Sequence, residues 1–172
     1  MPRSAQEWIE LLDLQEHPEG GYFKEVYRSE GGVEMSALPK RYGMRGRRAF
    51  CTSIYYMLTS DQFSALHRLR SDETWHFYAG SPLKISILSP GGVHTDVFLG
   101  NDPMNNQEFQ IVIPHNHWFG AKVIQTGGYT LAGCTVSPGF DFKDFEMGER
   151  GKLLKRYPDH STLIEALTHE DA

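Results

Sequence analysis

The chain has 172 residues, enough for one domain with a sizeable core and hardly enough for two. Hydrophobic residues make up 40% and charged residues 23%, a soluble globular composition, and no run approaches the roughly 18 apolar residues of a membrane helix. Seventeen basic residues against 22 acidic ones leave a net charge of −5, which argues against binding a nucleic-acid polymer.

Ser4 followed by Glu7 is a capping-box pattern. Trp8, Leu11 and Leu12 follow at helical spacing, predicting a helix over about 4–12. HisProGluGlyGly at 17–21 breaks it. Tyr22 to Ser29 alternates as a strand does, with Phe23, Glu25 and Tyr27 on one face and Lys24, Val26 and Arg28 on the other. Residues 30–48 read as a loop ending in KRYGMRGRR, with five basic residues and no acidic one.

Strands are expected at roughly 49–58, 63–69, 73–79, 83–89, 93–99, 108–113, 117–125 and 129–136. SerProGlyGly, AsnAspPro, ThrGlyGly and SerProGly supply turns between or after them. This spacing predicts an all-β sandwich or barrel. The tail changes character: a charged helix over about 148–157 stops at Pro158, and a last helix follows over about 160–168. Cys51 and Cys134 form no Cys-x-x-Cys pair, and MPRSAQEWIE has no apolar secretory run. Two buried free thiols in a cytoplasmic protein are therefore expected.

The stretch FSALHRLRSDETWHFYAG, residues 63–80, carries His67, Glu73 and Gly80. With HPEGGYFKEVYRS, the LGND…IVIPHNHWFGAKV region and YTLAGCTVSPGFDFKDFE, it resembles a cupin subfamily long labelled a domain of unknown function. The resemblance implies a double-stranded β-helix, a jelly-roll barrel with short terminal helices. It implies one cupin domain over 1–172, with a barrel core at about 20–147 and a helical tail at 148–172. It also implies a homodimer with a ligand cavity inside the barrel.

The general cupin metal motif has a second histidine where this chain has Leu69, and a further histidine where it has Phe119. His67 and Glu73 are the ligands if a divalent metal binds. A catalytic metal needs at least three protein ligands. His76 is a candidate third, but the strand period turns it away from Glu73. His115 and His117, in the PHNHW turn, are others. A pocket without a metal cofactor is the expectation.

Without metal, His67 is a catalytic general base or a hydrogen-bonding anchor. Glu73, flanked by Trp75 and Phe77, is largely desolvated, and its pKa rises unless Arg68, Arg70 or Lys24 compensates. The first strand is similar to the nucleotide-gripping strand of cupin nucleotide-sugar 3,5-epimerases. That likeness assigns Phe23 to base stacking, Glu25 to the base edge and His67 to catalysis. Their phosphate-binding arginine is replaced by Glu19 and Gly20, and Tyr129 is an insecure match for their tyrosine. Arg28 and the basic loop residues Arg41, Arg45, Arg47 and Arg48 are candidate phosphate ligands, the loop being a candidate lid. Trp75, Trp118 and Phe119 are candidate ligand-binding rings. Phe140 and Phe142 are read as closing the barrel or the dimer.

The expected function is binding of a small acidic ligand, a nucleoside diphosphate or nucleotide sugar. Sugar epimerisation or isomerisation is the expected reaction if the protein is an enzyme. The alternatives are a metal-dependent sugar-phosphate isomerase or oxygenase, and a non-catalytic binding cupin.

Overall fold

The computed structural model describes residues 3–170. The Ser4 hydroxyl accepts from the Glu7 amide at 3.2 Å, and the Glu7 carboxylate accepts from the Ser4 amide at 2.7 Å. This reciprocal pair starts helix α1 (Ala5–Leu12). Trp8, Ile9 and Leu12 then pack onto Met57 and Leu131.

The strands in chain order are β1 (Gln15–Glu16), β2 (Tyr22–Arg28), β3 (Gly32–Glu34), β4 (Arg47–Ala49), β5 (Thr52–Thr59), β6 (Ser64–Arg68), β7 (Asp72–Gly80), β8 (Leu83–Leu88), β9 (His94–Leu99), β10 (Gln107–Glu108), β11 (Gln110–Ile113), β12 (Trp118–Val123), β13 (Tyr129–Ser137) and β14 (Glu146–Met147). Every strand expected from turn spacing has a counterpart, although 108–113 divides into β10 and β11. The loop expected at 30–48 contains the hairpin β3–β4. Those strands have three residues each, too short for alternation to register.

Two six-stranded sheets form the jelly roll, ordered β1-β2-β5-β13-β7-β11 and β10-β9-β8-β12-β6-β14. Period-two alternation turns one set of side chains inward. Tyr56, Leu58, Trp75, Ile85, Leu99 and Phe119 thereby meet in the core cluster. Helices α2 (Arg150–Arg156) and α3 (Ser161–Ala166) cover the outer face of the second sheet. There Leu153, Tyr157, Ile164 and Leu167 pack against Leu66, Leu88 and Trp118.

One irregularity matters for the site. The β2–β5 register shifts between Glu25 and Tyr27, so Val26 is an extra residue. A bulge reverses the parity of everything after it. Arg28, expected opposite Phe23 and Glu25, joins their face, and Tyr27 is turned out to 55% exposure. Both cysteines are free, but only Cys134 is buried; Cys51 is partly exposed. Among the described residues no helix is long and apolar enough to cross a membrane.

Candidate functional site

A cavity of about 340 Å³ opens between the sheets. Its polar floor comes from three segments. β6 supplies His67, β7 supplies Glu73, and the turn between β1 and β2 supplies His17 and Glu19. That turn needs Gly20, which has φ 107°, and a Cβ there would sit 2.2 Å from the Phe63 carbonyl oxygen. The tight approach carries Glu19 into the interior, where it is 4% exposed.

His67 is held on every side. Phe119, its cross-strand partner, packs 4.1 Å from its ring, and Phe145 lies 5.2 Å away. Its Nδ1 lies 2.7 Å from the Ala65 carbonyl oxygen. A carbonyl can only accept, so Nδ1 carries hydrogen. Its Nε2 lies 3.1 Å from Glu19 Oε2. With Nδ1 protonated, that contact requires one proton between Glu19 and Nε2. Burial pushes the Glu19 carboxyl up and the His67 imidazole down to about 4. Both directions place the shared proton on Glu19, leaving a neutral pair.

Neighbouring groups fix this pair. Ser64 Oγ donates to Glu19 Oε1 at 2.9 Å, and the Glu19 amide donates to His17 Nδ1 at 3.3 Å. Tyr56 donates its hydroxyl to the Gly20 carbonyl at 2.8 Å, bracing the turn. Glu73 stands apart as a second buried carboxyl. Burial, followed by the nearby Glu19 carboxyl, raises its pKa to about 8. Trp75 Nε1 donates to its Oε2 at 3.0 Å.

None of the cations expected near Glu73 reaches it. Arg68 pairs with Glu146 at 2.8 Å, Arg70 with Asp144 at 3.7 Å and Lys24 with Asp13 at 3.2 Å. Phe23, Glu25, Arg28 and Trp75 do line the cavity. Trp118 does not: it lies on the outer face beneath α2 and α3, with Arg68 over its ring. Phe119 stands behind His67 rather than at the cavity surface. Tyr129 lies away from the cavity too, donating to the Arg3 carbonyl and accepting from Trp8.

Much of the basic loop is tied down. Tyr42 is buried and hydrogen-bonds Ser71, Arg41 donates to the Arg70 carbonyl, and Arg48 pairs with Asp144 at 2.8 Å. None of residues 40–48 lines the cavity. Phe140, Phe142 and Phe145 instead form its rim. Glu19 and His17 were hidden in the sequence because HisProGluGlyGly reads first as a helix breaker. The available signal was a carboxylate where the epimerases carry an arginine.

The donor set does not fit a cupin metal. Leu69 and Phe119 remove two ligand positions, and both nitrogens of His67 have partners. His76 bonds Thr135 on the outer face, His115 bonds Asp72, and His117 faces the His115 carbonyl. Among the described residues no group of three or more His, Cys, Asp or Glu is arranged to hold a metal ion.

The fold and the residual His67–Glu73–Gly80 motif agree with a comparison against known families. Residues 6–148 match the family described as "Cupin superfamily (DUF985)". The chain belongs to this cupin family. An uncharacterized protein of Saccharomyces cerevisiae, YML079W, is 28% identical over 151 residues, 83% of this chain and 74% of that protein. Among solved structures, protein SO0799 of Shewanella oneidensis superposes with TM-score 0.89 at 36% identity, covering 99% of this chain and 100% of that one. A hypothetical protein from Leishmania major gives 0.88 at 35% identity, covering 98% and 100%. This cupin therefore shares its whole architecture with those two proteins, and none of the three names states an activity.

Proposed function

We propose that this cupin binds a small organic molecule in its barrel and moves a proton on it without a metal, as a sugar-type isomerase or epimerase does. The observation that carries the reading is the 3.1 Å contact between Glu19 Oε2 and His67 Nε2 at the floor of the cavity, with His67 Nδ1 held by the Ala65 carbonyl. Glu19 can give its proton to the ligand's carbonyl oxygen while His67 Nε2, released from that bond, takes one from the neighbouring carbon, and the reverse transfers complete the isomerisation. In this reading Glu73 anchors the ligand beside the pair. Phe23, Ile54 and Trp75 cover its apolar face.

A nucleotide sugar would place its sugar inside and its phosphates at the mouth, against Arg28. That arm needs Arg28 to exchange its present partner, because its guanidinium holds Glu25 with bonds of 2.9 and 2.6 Å. The geometry therefore favours a compact ligand over a nucleoside diphosphate.

Hydroxy-carbonyl sugars, free and nucleotide-linked, incubated with the protein in deuterium oxide test the reading. At least one should raise the melting temperature and take up deuterium beside its carbonyl. His67→Ala should slow that uptake at least about 100-fold while retaining binding. Stabilisation without exchange would leave a binding protein and no enzyme. No stabilisation at millimolar concentration by any of them would contradict the reading altogether.

A further inference from the structure

The carboxyl groups of the cavity, more than its net charge, narrow the ligand class. Four carboxyl side chains line it, Glu19, Glu25, Glu73 and Asp141, against one arginine, Arg28. Arg28 is committed to Glu25 and to the Phe140 carbonyl. Asp141 accepts from the Lys143 amide and lies 3.8 Å from Arg48. Glu19 has Ser64 and His67, with His17 Nδ1 3.4 Å from its Oε2.

Glu73 is different. It is 7% exposed, and only its Oε2 receives a hydrogen bond, from Trp75. Its Oε1 borders the cavity with no donor among the described residues, and no ion pair reaches this carboxyl. The cavity it borders is walled by aromatic rings. Tyr56 and Trp75 meet edge to face at 5.2 Å, and Phe23, Phe142 and Phe145 line the same space. A buried carboxyl with an open oxygen in a cavity lined by aromatic rings is the chemistry that holds an ammonium group. A phosphate or carboxylate would meet four carboxyls and, in Arg28, a cation already held by Glu25.

We propose that the cavity binds a small organic cation, a primary or methylated amine on a compact hydroxylated body, with its ammonium between Glu73 Oε1 and the aromatic wall. The proposal rests on the small-molecule reading above and names its ligand; Glu19 and His67 remain the proton-moving pair. Glu73 loses its proton to solvent as the ammonium enters, so charge balances within the site. The other titratable and charged groups lining the cavity with Glu73 are His17, Glu19, Tyr56, His67 and Cys134, with Glu25, Arg28 and Asp141 towards the mouth.

Calorimetric titration of the intact protein tests this, with N-methylglucamine, choline and ethanolamine as cations and sorbitol and sorbitol phosphate as neutral and anionic counterparts. At least one amine should bind at least tenfold more tightly than sorbitol. Heats in two buffers of different ionisation enthalpy should show close to one proton released per site near pH 7. Affinity should rise about tenfold per pH unit from about 6 to 8. Glu73→Gln should weaken amine binding at least tenfold; if that variant does not fold, the wild-type pH series and proton count carry the test. Equal or tighter binding of sorbitol or sorbitol phosphate, or amine binding without proton release, would overturn the amine assignment and leave the small-molecule reading standing. Failure of all these probes, together with failure of the sugars above, would overturn both.

Discussion

A carboxyl and an imidazole that share one proton titrate as a unit, and Glu19 with His67 is such a unit. Of the two, only His67 was legible in the sequence, because its spacing to Glu73 and Gly80 is a motif. Glu19 acquires its role from a turn that no periodicity announces. Glu73 was legible as a desolvated carboxyl, and the absence of any cation beside it is the part only three-dimensional packing decides.

That absence has a pH signature. Glu73 moves from an ordinary 4.5 to about 8 on folding. Between those values the folded protein keeps a proton that the unfolded chain has lost, so stability falls as pH rises and levels off above 8. His67 works on the acid side, since its drop from 6.5 to about 4 makes stability fall as pH falls through that window. Above about pH 6.5 Glu73 is no longer opposed by His67. Urea unfolding of Glu73→Gln, which cannot ionise, should therefore show a shallower loss. Between about pH 6.5 and 9 the wild type should lose on the order of 2 kcal/mol more than the variant. Identical pH profiles would place Glu73 in contact with water or a cation.

At the scale of elements, alternation and turn residues predicted the longer strands of both sheets but not the two-residue edge strands β1 and β14, and the Ser4–Glu7 spacing predicted α1. The bulge at Val26 was illegible, because one extra residue leaves each half of β2 alternating normally. Its consequence is functional: it turns Arg28 into the cavity mouth and Tyr27 out of it. Trp118 was misplaced for a related reason. Phe119 faces inward beside His67, so its neighbour must face outward, where the C-terminal helices provide its burial. Gly80, the last residue of the motif, ends β7 with φ 98°, and a Cβ there would lie 2.1 Å from the Tyr129 carbonyl oxygen. Gly80→Ala should cost roughly 3 kcal/mol. That corresponds to a fall of about 6–12 °C in melting temperature for a domain of this size. An unchanged melting temperature would show that the β7–β13 end relaxes without cost.

In the whole molecule, the two sheets divide labour. Their facing sides make a core and a cavity; the outer side of the second sheet is sealed by α2 and α3. The family match accounts for this architecture but not for what enters the cavity, because the cupin frame survives while two of its metal-ligand positions carry Leu69 and Phe119. Phe119 now supports His67, and Glu19 answers its outer nitrogen. The chemistry of the cavity therefore turns on where one proton sits. A long-range proton–nitrogen correlation spectrum of the nitrogen-15-labelled protein near neutral pH reads it directly. His67 should carry hydrogen on Nδ1, with Nε2 hydrogen-bonded to Glu19, and Glu19→Gln should shift the Nε2 resonance. A His67 protonated on Nε2 alone, or one titrating near 6.5 as a free imidazole does, would contradict this placement.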